Sequence, residues 1–215
     1  MRNTVIYTAL LLLLLQVAAC KPGSGLAADE EAKVKALENL PRADYNRGGV
    51  AFSLAEIEGI RRVEKDSVPW ASYVQETDDN GQLGYYFFPG YDRDLSAPQV
   101  RLEYMARSLK GCSTVDSLFT WLKGLFVNDQ RHGVVKSEAP VGTLDGQEIK
   151  ILEIETPKFT MNDTVTYAEK FMAWAYAEHG DRFVGFNYTA VNKDDYNQGL
   201  PLFKDLVRSY RDSKE

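Results

Sequence analysis

Few side chains in this sequence have the types and spacing that catalysis or metal binding requires. Cys112 comes just before a predicted helix N-terminus, a position that stabilises a thiolate. His132 and His179 stand in no recognisable catalytic context, and the sequence has no Gly-x-Ser-x-Gly, Gly-x-Gly-x-x-Gly, Walker-type or His-Glu-x-x-His motif. We therefore predict that the chain is not an enzyme and uses no cofactor or metal. The catalytic alternative needs an exposed, rapidly alkylated Cys112, whereas the structural alternative is a small half-buried residue.

Two polar clusters could bind a metal, and each has a simpler interpretation. The side chains that flank glycine in His179-Gly180-Asp181 could share an ion, but we favour a solvated turn. Asp78-Asp79-Asn80-Gly81 contains calcium-binding residue types, yet no glutamate follows at the spacing of an EF-hand. Since Asn-Gly between aromatic-rich runs is typical of a type I′ turn, we predict a hairpin that joins residues 70–75 to 83–88.

The residues before Cys20 have the pattern of a bacterial lipoprotein signal. An apolar run from Val5 to Leu15 follows Arg2, and small residues precede the cysteine. The run is too short to span a bilayer permanently, and small residues suit a processing site. We predict a signal peptide over 1–19 and a diacylglyceryl group on Cys20 as the membrane anchor. The alternative is an ordinary secretory signal with a cysteine placed by chance.

Charge and length set the remaining limits on the mature chain. The sequence has 215 residues and a net charge of −6, which becomes −7 once the signal and its single charged residue, Arg2, are removed. An acidic chain is a poor ligand for nucleic acid or an anionic membrane surface, so the lipid must provide the membrane attachment. We predict a tether and short helix over 20–44 and one globular α+β domain over 45–215.

Hydrophobic periodicity predicts strands, one clear helix, more strands and a closing helix. The clear helix is Ser113 to Val127, with Ser113 and Asp116 as a capping box. Residues 164–177 combine helical propensity with strict alternation, and we favour a long hairpin with the strand that follows. The closing helix is predicted from Pro201 to Asp212, with the proline in its first turn.

The order of features in the C-terminal half resembles the PsbP-like and DcrB-like group of proteins. Val141 to Gly146 precedes a strand, a hairpin with a Gly180-Asp181 turn follows, and the last helix ends in Val207-Arg208-Ser209-Tyr210-Arg211. The resemblance covers roughly residues 115–211. It implies an α/β/α sandwich, in which helices cover both faces of an antiparallel sheet. Members are mostly non-enzymatic accessory, assembly or binding proteins, and several are bacterial lipoproteins.

These observations lead to two functional hypotheses. The first is an envelope lipoprotein that binds another protein as an accessory, assembly or inhibitor subunit. Because Lys21 follows the cysteine where inner-membrane lipoproteins of enterobacteria carry aspartate, resemblance to such signals favours the outer membrane facing the periplasm. The second is a carrier or sensor of an apolar small molecule or lipid, which requires a cavity lined by residues such as Trp174, Tyr176 and Phe186. Tyr91, beyond a Pro-Gly turn, is a further candidate for a ligand or partner surface.

Overall fold

The computed structural model describes residues 28–64, 67, 77–88, 98–108, 111–128, 130–161 and 165–213. Several sequence predictions lie outside these ranges: the signal peptide, Cys20, the start of the tether, the strand over 70–75, and Tyr91. Within the described ranges, no helix combines the length and apolar character needed to cross a membrane.

The described residues form three helices and twelve strands. The helices are α1 (Ala28–Ala36), α2 (Val115–Phe126) and α3 (Lys193–Arg208). The strands are β1 (Arg42–Arg47), β2 (Val50–Ala55), β3 (Arg61–Val63), β4 (Asn80–Phe87), β5 (Gln99–Ala106), β6 (Val134–Gly142), β7 (Glu148–Thr156), β8 (Phe159–Met161), β9 (Val165–Tyr167), β10 (Lys170–His179), β11 (Arg182–Ala190) and β12 (Arg211–Asp212).

The strands make three sheets. The largest has the order β3-β4-β5-β11-β10-β7-β6, the second is β1-β2-β12, and β8 and β9 form a separate two-stranded ribbon. Each described strand pair is antiparallel. Antiparallel sheets combined with three helices confirm the predicted α+β class.

Strand β10 supplies alternate side chains to two hydrophobic clusters. Successive strand residues point to opposite faces, so neighbours along β10 enter different clusters. The first cluster combines one set of β10 side chains with buried residues of α3: Phe171, Ala173, Ala175, Ala177, Phe203, Leu206 and Val207. The second combines the intervening set with buried residues of α2: Met172, Trp174, Tyr176, Leu118, Phe119 and Leu122.

The predicted long hairpin near residues 164–177 is confirmed. Strand β10 pairs with β11 from Phe171↔Ala190 to His179↔Arg182. Gly180 takes a positive φ of 58° in the turn, a conformation that costs glycine little. Burial of both sets of alternating side chains thus outweighs the helical propensity of this segment.

The predicted turn at Asn80-Gly81 is wrong. Both residues belong to β4, where they pair with Met105 and Tyr104, and the chain turns just before them. That turn includes a hydrogen bond of 2.9 Å from the Thr77 backbone N–H to the Asn80 carbonyl oxygen. A Cβ atom on Gly81 would lie 2.6 Å from the Tyr104 hydroxyl oxygen. The glycine therefore makes room for a ring instead of supplying a turn.

Two predicted helix starts also need correction. The N-cap of α2 is Thr114, which forms a reciprocal capping box with Ser117, so Ser113 and Asp116 do not have that role. Helix α3 begins at Lys193 after the N-cap Asn192, whose side chain accepts a hydrogen bond of 2.8 Å from the Asp195 backbone N–H. Pro201 consequently lies inside α3 and not in its first turn. A proline there removes one intrahelical hydrogen bond, and the buried face of α3 must offset that loss.

Alanine substitutions at two helical glycines test how closely α3 packs against the rest of the domain. A Cβ on Gly199 of α3 would overlap the Tyr188 hydroxyl and lie 2.8 Å from the Phe88 ring, whereas Gly124 of α2 is exposed with nothing within 4 Å. We expect Gly199→Ala to lower the free energy of unfolding by about 1–3 kcal/mol through overpacking. Gly124→Ala should raise it by about 0.5–1 kcal/mol through helix propensity. Urea denaturation of both variants measures the two values, and equal effects would contradict this packing of α3.

Candidate functional site

The aromatic residues predicted to line an apolar cavity do not lie together. Trp174 is buried in the second cluster, with its ring centroid 5.1 Å from that of Phe126. Tyr176 belongs to the same cluster, but Phe186 lies in the first, with its ring 6.2 Å from that of Tyr210. Trp174 and Tyr176 therefore do not share one cavity with Phe186.

Cys112 is 4% exposed and belongs to the second hydrophobic cluster. The catalytic alternative requires an accessible thiol, and this position does not provide one. A small side chain among apolar neighbours is the role that the structure assigns to Cys112.

A buried polar cluster lies on the sheet surface next to the second hydrophobic cluster. The Tyr176 hydroxyl oxygen is 3.3 Å from Asn187 Oδ1 and 3.4 Å from Glu103 Oε1. Burial, together with the nearby Glu103 charge, raises the pKa of Tyr176, so this hydroxyl stays protonated. In the part of the chain that the structure describes, Asn187 Nδ2 and Arg101 Nε are buried without a hydrogen-bond partner. This arrangement contains donors and acceptors but no activated nucleophile.

His179 lies in an open cleft between the three-stranded sheet and the β10–β11 turn. Its Nδ1 is 3.1 Å from Asp212 Oδ1, and its Nε2 accepts a hydrogen bond of 3.3 Å from the Ala51 backbone N–H. The cleft measures about 420 Å³. Asp181, the residue considered for a shared metal, is instead 89% exposed beside Arg182. Because both ring nitrogens have protein partners, His179 joins structural elements and is not available as a ligand.

No group of three or more histidine, cysteine, aspartate or glutamate side chains converges on a metal-sized site within the described residues. A second open cleft, of about 500 Å³, lies at the start of α2. An ion pair of 2.7 Å between Lys150 and Asp116 lies on its wall. These two side chains already neutralise each other, so the cleft has no uncompensated charge from them.

Glu153 of β7 is the most buried carboxylate with several polar partners. It accepts hydrogen bonds from Lys204 Nζ and Ser137 Oγ, both at 2.9 Å, and from the Tyr196 hydroxyl at 3.1 Å. Burial favours the neutral form, but the hydrogen bonds from Lys204 and Ser137 prevail and lower the pKa of Glu153. A general acid at neutral pH requires a raised pKa, so Glu153 is suited to holding α3 on the sheet and not to acid catalysis.

The exposed large hydrophobic residues are concentrated at one end of the seven-stranded sheet. Those described are Val127, Val134, Val135, Val165 and Tyr167, which we call the apolar end. The Gly133 N–H donates to the Phe126 carbonyl at 3.0 Å, and this bond brings the end of α2 beside the start of β6.

The β8–β9 ribbon carries two residues of the apolar end beyond the sheet. It continues outward from the end of β7 and the start of β10, where Lys170 pairs with Thr156. Residues 157–160 and 165–170 are exposed except for half-buried Phe159, whose ring stacks on Tyr167 at 4.7 Å. An isolated two-stranded ribbon is only marginally stable in water, which makes this element suited to docking against another surface. Periodicity did not reveal the apolar end, because its residues come from three separate parts of the chain: the end of α2, strand β6 and strand β9.

No protein-family model and no curated protein sequence matches this chain. Solved structures similar to it include the solution structure of cyanobacterial PsbP (CyanoP) from Synechocystis sp. PCC 6803, the crystal structure of PA94 from Pseudomonas aeruginosa, a protein of unknown function described as a putative regulator, and the Ran-binding protein Mog1p from Saccharomyces cerevisiae. Their sequence identities are 14%, 6% and 8%, with TM-scores of 0.46, 0.45 and 0.47. The alignments cover 80%, 81% and 80% of this chain, and 91%, 99% and 96% of those chains. The similarity to PsbP agrees with the resemblance seen in the sequence, and it concerns the course of the backbone alone.

The role of Glu153 can be tested through its pH dependence. We expect Glu153→Gln to lower the free energy of unfolding by about 1–3 kcal/mol at neutral pH, since it weakens a buried charged hydrogen-bond network. A carboxylate with a lowered pKa stabilises the fold above its ordinary pKa and loses that contribution as the pH falls through the folded-state pKa. The difference between the original protein and the variant should therefore shrink on acidification, as followed by urea denaturation at several pH values.

The matched control for that experiment is Glu155→Gln on the same strand. Glu155 pairs with Lys136 at 3.5 Å, and both side chains are partly exposed. Its loss should cost about 0–1 kcal/mol. Equal losses for the two variants, or a Glu153 effect that grows on acidification, would contradict the structural role.

Proposed function

We propose that this chain is a lipid-anchored bacterial envelope protein whose globular domain binds another protein as an accessory, assembly or inhibitor subunit. The observation that carries the proposal is the apolar end. In most soluble proteins, exposed large hydrophobic residues are scattered singly. Here those of the described residues share one end of one sheet, and two of them are on a ribbon with little packing of its own. A protein surface that covers this end would remove its apolar side chains from water.

The proposal assigns no catalytic reaction to the domain. Three groups considered as nucleophile, base or acid are engaged otherwise: Cys112 is buried, His179 binds Asp212 and a backbone N–H, and Glu153 is held charged by its partners. The carrier alternative loses its support, since Trp174 and Phe186 lie in separate clusters.

The sandwich arrangement implied by the PsbP-like resemblance belongs to the same proposal. We propose that α2 and α3 cover the two faces of the seven-stranded sheet. The alternation of β10 supports this, because Trp174 faces α2 residues such as Phe119, whereas Ala173 and Ala175 belong to the cluster that contains Phe203 of α3. With helices on both faces, the ends and edges of the sheet are the surfaces left for a partner.

The membrane attachment in this proposal rests on the sequence pattern before Cys20. The protein is placed at the outer membrane facing the periplasm, held by the diacylglyceryl group on that cysteine. We expect labelled palmitate to be incorporated into the full chain, and Cys20→Ala to abolish the labelling. Continued labelling of Cys20→Ala would show that lipid is attached elsewhere or not through this signal.

Partner binding can be tested by site-specific photo-cross-linking in intact cells. A photoreactive phenylalanine analogue placed at Val134, Val165 or Tyr167 should form the same protein adduct from each position. The controls are the exposed positions Glu38 and Asp194, which lie outside the apolar end and should give no such adduct. Adducts of equal yield from the controls would contradict docking at this end.

A matched pair of variants then separates docking from folding. Val165→Thr keeps the β-branched shape on the exposed ribbon but removes apolar surface, so it should weaken the adduct formed from position 134. Asp194→Asn changes an exposed residue elsewhere and should leave that adduct unchanged. Stoichiometric lipid in the purified domain, together with the absence of any protein adduct, would favour a carrier instead.

A further inference from the structure

Helix α1 is held to the domain by a buried arginine. No residue within α1 is itself buried. Arg208, near the end of α3 and 5% exposed, donates to both carboxylate oxygens of Glu30, from Nε at 2.9 Å and from Nη2 at 2.8 Å. Its Nη1 donates to Asp205 Oδ1 at 2.7 Å. Paired parallel hydrogen bonds from arginine to a carboxylate fix both position and orientation, so this contact determines where α1 begins.

A second contact attaches the chain to the domain just after the C-terminal end of α1. Leu37, the residue after α1, is buried in the first hydrophobic cluster. The hydrogen bonds from Arg208 lower the pKa of Glu30, so its carboxylate is charged at neutral pH. We refer to the pair of Glu30 and Arg208 as the clamp. The clamp lies on the N-terminal side of Leu37, and its loss would free α1 while leaving the hydrophobic contact in place.

The clamp and the apolar end lie at opposite ends of strand β6. The Arg208 carbonyl oxygen accepts a hydrogen bond of 3.0 Å from the Leu144 N–H, two residues beyond the last residue of β6, Gly142. Val134, the first residue of β6, belongs to the apolar end. A strand of this length spans about 27 Å at the usual rise per residue. The β8–β9 ribbon extends the apolar end further away.

The tether between the lipid and α1 is short compared with the domain. From Cys20 to Ala28 the chain takes eight steps, which reach at most about 29 Å when fully extended. A domain of this size has a radius of gyration of about 16 Å, hence a diameter of at least about 32 Å, which exceeds the greatest reach of the tether. The position at which the tether joins the domain therefore decides which side faces the bilayer.

We infer that the Glu30–Arg208 clamp orients the anchored protein, so that the apolar end points away from the bilayer that holds the lipid. This inference rests on the proposed lipid anchor. The tether joins the domain at the clamp, and the apolar end is about the length of β6 or more from that point. The surface is thus presented to a partner in the surrounding compartment and is kept from the headgroups of its own membrane. If the clamp opened, the point at which the chain is attached to the domain would move from the start of α1 to Leu37. The longer free chain would let the domain turn over.

The test measures energy transfer from the domain to a bilayer that contains acceptor-labelled lipid. The lipidated full chain is reconstituted into phosphatidylethanolamine–phosphatidylglycerol vesicles with a donor dye on Val165→Cys or, separately, on Lys35→Cys. Cys20 is blocked by lipid and Cys112 is buried, so each variant has one reactive thiol. We expect weak transfer from position 165 and stronger transfer from position 35 on exposed α1. Glu30→Lys places a like charge against Arg208 and should raise the transfer from position 165, because the released domain can turn over.

The control is Glu38→Gln, which removes a carboxylate from an exposed position just past α1 and should preserve the difference. Equal transfer from the two positions in the unsubstituted protein, or a transfer from position 165 that Glu30→Lys leaves unchanged, would overturn the inference. Failure of the lipid anchor is distinguishable, because the protein would then not float with the vesicles at all. Unfolding of Glu30→Lys in urea, with the midpoint of the unsubstituted protein as reference, verifies that loss of orientation is not loss of the fold.

Discussion

The structure depends on strand β10, whose two sets of alternating side chains are both buried. One set lies in the cluster that contains α3, and the other lies in the cluster that contains α2. A strand with apolar residues on both faces cannot be a solvated edge, so its neighbours β11 and β7 must protect its hydrogen-bonding groups. The Gly180 turn then fixes the register with β11, and a slip of one residue would exchange the two clusters. The positions of both helices follow from this constraint.

Some polar side chains are buried in the domain next to several hydrogen-bonding partners. Glu153 has a lysine, a serine and a tyrosine around it, and Tyr176 lies between Asn187 and Glu103. A buried polar group without partners would cost free energy, so these networks limit which residues can pack there. Such groups resemble catalytic constellations when viewed as a set of residue types. The bonds of Glu153 to Lys204 and Tyr196 attach α3 to the sheet, and the lowered pKa of Glu153 is the sign of that role.

The contact that attaches α1 to the domain and the exposed apolar end lie at opposite ends of β6. The clamp between Glu30 and Arg208 lies beside one end of this strand, and Val134 of the apolar end lies at the other. A partner surface far from a short membrane tether is accessible without competition from lipid. The proposed accessory role and the inferred orientation are therefore two aspects of one arrangement, in which α1 connects the anchor to a rigid sheet.

The sequence by itself determined the α+β class, helix α2, and the β10–β11 hairpin, because these depend on local periodicity that folding preserves. The lipoprotein pattern before Cys20 is likewise a local signal, and it remains a prediction. The prediction of a turn at Asn80-Gly81 is wrong because Gly81 has another role. It lies against the ring of Tyr104, a residue distant in sequence, which leaves no room for a side chain at position 81. The predicted start of α3 at Pro201 is wrong because the helix begins after the Asn192 cap and buries Tyr196 and Gly199 ahead of the proline. The clamp, the apolar end and the separation of Trp174 from Phe186 were decided only by the tertiary structure, since each depends on which distant residues become neighbours and on the face to which a strand turns its side chains.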